Sequence, residues 1–428
     1  MRALAALARL LLGCGTALAF GCGAADDGVE VVEFWGFGRE GEVVGELVPE
    51  FERENPGVRV EVQQVPWTAA HEKLLTAFVG EATPDVAQLG NTWVPEFVAL
   101  GALERLDPWI GRSTVVAPGA YFEGIWQTNV VEGGTYGIPW YADTRVLFYR
   151  TDLLEEAGYR DPPETWAEWL DAMARLRQRM GEREWPILLP TNEWPQPVIL
   201  GLQNGSQLLR DDGRRGAFRQ KPFREAFEFY VGLFRRGYAP AIANTQLANL
   251  YQQFERGEFA MVITGPWNIG EFRRRLSANV PWTTAPLPGP DSLGVSMAGG
   301  SSLVIFADSE SKNGAWRLIE YLSRPEVQLR FYDLMGDLPA RVEAWEAPAL
   351  AGDPQARAFH EQLRRVTPLP QVPEWERIAT RVYERGEAAV RGSMTVDQTL
   401  TALDRDVDRM LAKRRWMLAQ REEEEAVR

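Results

Sequence analysis

Strand-like and helix-like patterns alternate from Val29 onward, and this alternation restricts the fold more than any other feature of the chain. Val29–Trp35 alternates and is rich in β-branched residues, which predicts a strand. From Gly41 to Asn55 the apolar residues Val43, Val44, Leu47, Val48 and Phe51 recur at helical spacing, and Pro56-Gly57 ends the helix. Val58–Val65 reads as a second strand, 69–80 as a helix, Asp85–Leu89 as a third strand and Val94–Gly101 as a helix. Strands joined by helices predict an α/β sheet covered on both faces.

The pattern resumes further along. Val146–Tyr149 reads as a strand, and Thr165–Met180 as an amphipathic helix whose capping residue Thr165 is followed three positions later by Glu168. Ala260–Ile263 and Ser302–Phe306 read as strands. Helices are predicted over 313–322, 325–332 and, as one long stretch, 396–417, ahead of an acidic tail from Glu422 to Glu425. Connections between lobes are expected at Pro139–Arg145 and in the Pro-rich segment Ala285–Pro290, with a return near Gly336. Such discontinuous lobes suit a hinge. The expected division is 23–140 plus 291–335 for one lobe and 141–290 plus 336–428 for the other.

A length of 428 residues gives room for two full cores, and 45% apolar with 25% charged residues is ordinary for a chain that folds in water. The net charge of −14 would repel phosphate backbones, so nucleic acid is not an expected partner.

Met1–Cys22 has a basic start, an apolar stretch from Leu10 to Phe20 and then Gly21-Cys22, the layout of an export signal. Its apolar run is too short to span a bilayer, which takes about 20 residues. The two cysteines, Cys14 and Cys22, both lie here, so a disulfide framework in the remaining chain is excluded. Cys22 after a small residue resembles a lipobox and is the expected acylation site, with Cys14 as the alternative and 23–28 as a tether.

The remaining residues exclude much chemistry. The two histidines, His71 and His360, are far apart in sequence, so neither a zinc site nor a Cys/His nucleophile is expected, and no Walker loop occurs. Gly36-Phe-Gly38-Arg-Glu-Gly41 is a G-x-G-x-x-G between a strand and a helix, with Glu61 about 20 residues on, as a dinucleotide site requires. Glu40 would then face a pyrophosphate, and the preferred reading is a tight turn beside a cleft. Paired carboxylates for glycoside hydrolysis cannot be singled out among 60 acids.

The aromatic content is more specific. Of 16 tryptophans, eight fall outside periodic stripes: Trp35, Trp67, Trp93, Trp140, Trp194, Trp267, Trp282 and Trp375. Indole faces stack on the C–H faces of sugars while nearby acids and amides bind hydroxyl groups. Trp166, Trp169 and Trp316, at apolar helix positions, are expected in the core.

Three segments, in order, resemble the solute-binding proteins of ABC importers, in the maltose and trehalose/maltose branch. They are Tyr136-Gly-Ile-Pro139 through Asp143 to Thr165-Trp166; Gly257–Met261 with Gly265-Pro-Trp267; and Gly299-Gly-Ser-Ser302, Lys312-Asn, Ala315-Trp316 and Leu338-Pro-Ala-Arg341. The resemblance implies an α/β periplasmic-binding-protein fold, two lobes joined by hinge strands with a ligand cleft between them, and binding without catalysis, cofactor or metal. It implies a carbohydrate ligand, an oligosaccharide or disaccharide, and permease subunits with a cytoplasmic ATPase as partners. The protein would be an exported monomer, in the periplasm or at the cell surface, held to the membrane by lipid. The ligand-binding residues expected from the resemblance are Glu40, Trp93, Glu96, Tyr141, Asp143, Trp194, Trp267, Gly300, Ser301, Arg341 and Trp375, and the aromatic reading adds Trp35. Arg39 in the first loop keeps a polyol phosphate in view, and an aromatic cage with acids keeps a cationic solute in view.

Overall fold

The computed structural model describes residues 28–427, so the expected export signal and the expected acylation sites Cys22 and Cys14 lie outside the described residues. The chain opens with β1 (Glu30–Phe37), α1 (Gly38–Glu54), β2 (Val58–Val65), α2 (Trp67–Val79), β3 (Val86–Gly90) and α3 (Val94–Ala99). β1 is parallel to both β2 and β3. The five apolar positions read from the sequence of α1 are all buried, and Asn55 closes the helix through its N–H to the Phe51 carbonyl at 2.9 Å.

β4 (Ile138–Asp143) leads across a short crossing to β5 (Val146–Arg150) in the second lobe. There follow α4 (Trp166–Arg179), β6 (Trp185–Leu188), α5 (Pro195–Gln203), α6 (Lys221–Arg235), β7 (Phe259–Thr264), α7 (Trp267–Arg275) and β8 (Trp282–Ala285). Thr165 and Glu168 form the capping box of α4. These strands make a four-stranded sheet in the order β8-β5-β7-β6. β9 (Gly299–Ile305) returns to the first lobe and inserts antiparallel between β4 and β3. α8 (Lys312–Leu322), α9 (Pro325–Met335) and β10 (Leu338–Pro339) follow, completing a six-stranded sheet in the order β10-β4-β9-β3-β1-β2. α10 (Pro354–Leu363) then packs on β8 and β5, and α11 (Trp375–Val390), α12 (Val396–Met410) and α13 (Ala412–Val427) finish the chain.

Several sequence expectations shift. β4 belongs to the six-stranded sheet as far as Asp143, beyond the boundary expected after 140, and β10 adds to that sheet beyond the return expected after 335. The stretch 396–417 is broken at Leu411, and the acidic run at 422–425 is helical instead of a loose tail.

The crossings are tied together. Ser296–Met297 pairs in parallel with Val366–Thr367, Thr144 Oγ1 donates to the Met297 carbonyl at 2.8 Å, and Arg145 N–H donates to Ser296 Oγ at 3.2 Å. Three chain segments thus form one hydrogen-bonded hinge. Beside it, β9 carries a register shift at Ser301/Ser302, and Gly300 has φ +124°. A Cβ there would lie 2.2 Å from the Tyr141 carbonyl oxygen, so glycine is required. Among the described residues no helix is long and apolar enough to cross a membrane.

Candidate functional site

In α/β sheets the carboxyl ends of parallel strands point backbone loops at a crevice. Here β1 and β3 end at the cleft, delivering the Gly36–Gly41 turn and the Asn91–Trp93 turn. The glycines of the first turn serve close packing, since a Cβ on Gly36 would sit 2.5 Å from Gly41 Cα. The turn presents Glu40, whose carboxylate accepts hydrogen bonds from Trp67 Nε1 at 3.0 Å and Tyr141 Oη at 3.2 Å. Burial raises the pKa of Glu40, and the bonds from Trp67 and Tyr141 partly oppose that. Gln88 locks the arrangement: its Nε2 donates to Tyr141 Oη at 3.3 Å and its Oε1 accepts from the Phe37 N–H at 2.7 Å. This geometry disposes of the dinucleotide reading. A pyrophosphate would meet the Glu40 carboxylate, and Glu61 is an exposed edge residue paired with Arg59 at 2.8 Å.

Asp143, at the end of β4, holds Arg145 Nη1 at 2.7 Å from each carboxylate oxygen. Burial raises the Asp143 pKa, with the Arg145 charge opposing. The Arg145 guanidinium in turn lies 4.6 Å from the centre of the Trp267 ring. Trp267 opens α7 and is 44% exposed. Trp93 meets Trp67 edge-on at 5.9 Å and His71 at 5.0 Å, while His71 Nε2 is 2.7 Å from Glu96. That hydrogen bond raises the His71 pKa against the effect of burial.

Contacts link six of the expected residues: Glu40 to Tyr141, Asp143 through Arg145 to Trp267, and Trp93 through His71 to Glu96, with Glu40 and Tyr141 themselves largely buried. The others are placed differently. Trp35 is 7% exposed in the first core beneath the Lys73 ammonium. Arg341 donates to the carbonyls of Val115 and Ser323 and binds neither a cleft group nor the other lobe, because β10 turns it into the first lobe. Trp375 is buried in the second core at the start of α11, edge-on to the half-buried Trp194 at 5.8 Å. Ser301 Oγ is consumed by the Leu89 carbonyl, and Gly300 serves the close approach of β9 to β4. Of the tryptophans expected in the core, Trp169 and Trp316 are buried and Trp166 is half-buried on Phe229.

Residues that the sequence did not reveal stand beside these. Gln88 and Arg145 are named above, and Asp337 is the third. It precedes β10, is 8% exposed, and has an Oδ2 with no hydrogen-bond partner. A cavity of 430 Å³ opens beside this end of the cleft, lined by Arg39 from one lobe and by Ile269, Gly270 and Arg273 from the other. From the turn after β3, Thr92 Oγ1 lies 2.5 Å from Glu376 Oε1 at the start of α11, and Arg421 of α13 pairs with Glu132 at 3.3 Å.

Comparison with known proteins agrees with this architecture. The sugar-binding protein MalE from Xanthomonas citri superposes with a TM-score of 0.89 at 49% identity, over 91% of this chain and 99% of that one. An uncharacterised lipoprotein of Streptomyces antibioticus is 30% identical over 90% of this chain and 87% of its own length. The galactooligosaccharide-binding protein of Bacillus subtilis is 25% identical over 92% and 93% respectively. Residues 38–329 match the family described as bacterial extracellular solute-binding protein, and with two lobes, a tied hinge and a cleft of acids and indoles between them, the chain belongs to that family.

Proposed function

We propose that the protein captures a carbohydrate, a disaccharide or oligosaccharide, in the interlobe cleft and delivers it to the permease subunits of an ABC importer driven by a cytoplasmic ATPase. The observation that carries this reading is the convergence of Glu40, Asp143 and the exposed Trp267 at the hinge end of the cleft. Acceptors for hydroxyl groups beside an exposed indole match what a pyranose offers. The likeness to the Xanthomonas citri sugar-binding protein supports the same ligand class. Binding would be without catalysis: closure around the ligand is a population shift driven by contacts made only in the closed form. The lobes would divide at the Thr144–Arg145, 286–298 and 352–367 crossings. Export by the first 22 residues and anchoring through a lipid on Cys22 complete the proposal, supported by the sequence pattern and by the lipoprotein relative; the mature protein would act as a monomer.

A thermal-shift screen tests the function directly. The protein lacking residues 1–22 is heated with maltose, trehalose, cellobiose, galactobiose, maltotriose, a polyol phosphate and a quaternary amine, each alone. A shift with a sugar that grows with its concentration is the expected result. Response only to the phosphate or the amine would overturn the carbohydrate assignment while keeping the fold.

A further inference from the structure

Three carboxylates converge on one end of the first sheet. β10 pairs antiparallel with β4, with Leu338 opposite Ala142 and Pro339 opposite Tyr141, so Asp337 falls opposite Asp143. Tyr141 and Asp143 are two residues apart and share a face of the strand, and the Tyr141 hydroxyl on that face reaches Glu40. Like charges directly opposite on a sheet repel, and here they are also buried. Two of the three acids have partners. Asp143 has Arg145, and Glu40 has Trp67 and Tyr141. Asp337 has an orphaned Oδ2, and the charges facing it are Glu40 and Asp143 with Arg39 opposing. Arg145 neutralises Asp143, which leaves Asp337 as the acid whose charge is least compensated.

A proton relieves that charge. We propose that Asp337 contacts the ligand as a neutral carboxylic acid that donates a hydrogen bond, and that binding therefore requires its proton. The inference rests on the carbohydrate reading above and names how that site is regulated. Burial, then the charges of Glu40 and Asp143, push the Asp337 pKa up to about 8. A neutral acid in a closing cleft loses little on dehydration, whereas its anion would lose much. The protonated form is the competent one, and apparent affinity scales with its population.

The test is a set of calorimetric titrations at pH 6, 7, 8 and 9 with the sugar from the screen that gives the largest shift. Affinity of the wild type should be flat between pH 6 and 7 and fall about tenfold from pH 7 to 9, as the competent fraction drops. Asp337→Asn, whose amide donates at every pH, should abolish that fall. Asp337→Ala should bind weakly throughout. Glu40→Gln should move the midpoint to lower pH by removing a neighbouring negative charge. A flat wild-type profile, an affinity that rises with pH, or an unaltered fall in Asp337→Asn would overturn the inference and leave the carbohydrate reading standing. Silence of every sugar at every pH would overturn both. The ligand-free protein supplies a separate check. The folded pKa of Asp337 is raised, so the stability gained from holding the proton is lost as pH rises, and Asp337→Asn should remove part of the decline in melting temperature between pH 5 and 8. An identical decline in the variant would also overturn the proposal.

Discussion

At the scale of single residues, the cleft separates side chains that only pack from those with a surface to offer. Trp267 is 44% exposed, with the Arg145 guanidinium over its ring. Trp267→Ala should weaken sugar binding by about 1–3 kcal/mol in calorimetry, and an unchanged affinity would remove it from the site. Arg341 is the contrasting case. It is 7% exposed and satisfies two backbone carbonyls, so Arg341→Ala should lower unfolding stability by about 2–4 kcal/mol in denaturant melts. Its ligand affinity should stay as it is; a loss of affinity at full stability would return Arg341 to the cleft. The family resemblance pointed to Glu40, Asp143 and Trp267 as candidates, because each lies in a segment with a recognisable motif or position, the first loop, the end of a strand and a Gly-Pro-Trp. Asp337 has no such setting. Its role comes from a pairing partner almost 200 positions away, and no local pattern encodes a cross-strand neighbour.

At the scale of elements, the βαβ opening was legible almost to the residue, because each strand and helix buries one face and shows the periodicity for it. Less was legible where tertiary contact overrides the pattern. Trp375 was read as a loop aromatic, yet it begins α11 and packs into the second core. The two-residue strand β10 is too short to carry any period at all. The bulge of β4 at Trp140 and Gly300 on the facing strand link element to site, since the glycine lets β9 lie against β4 beside Tyr141 and Asp143. Gly300→Ala should cost about 1–3 kcal/mol from backbone strain and should also weaken ligand binding by displacing Asp143. Normal affinity in a destabilised variant would show that the glycine supports the sheet alone.

At the scale of the whole molecule, the hinge and the contacts between the lobes together define what closure has to make and break. Thr92, in the turn after β3, meets Glu376 of α11 across the lobes. Thr92→Val removes the donor without removing volume. If that bond belongs to the closed form, sugar affinity should fall about three- to tenfold, on the order of 1 kcal/mol, with small-angle scattering showing a more open ligand-free protein. Unchanged affinity and an unchanged radius of gyration would assign the contact to packing alone. The insertion of β9 between β4 and β3 bears on a different question, that of time. Until residues 299–305 arrive, the strands on either side have no shared partner, and the first lobe is two fragments with open edges. A chain exported N-terminus first, as proposed above, must deliver everything up to Ile305 before β1–β3 can be joined to β4. Late closure of the first domain would keep such a polypeptide threadable during passage, and the same long-range pairing would fasten it once it is through.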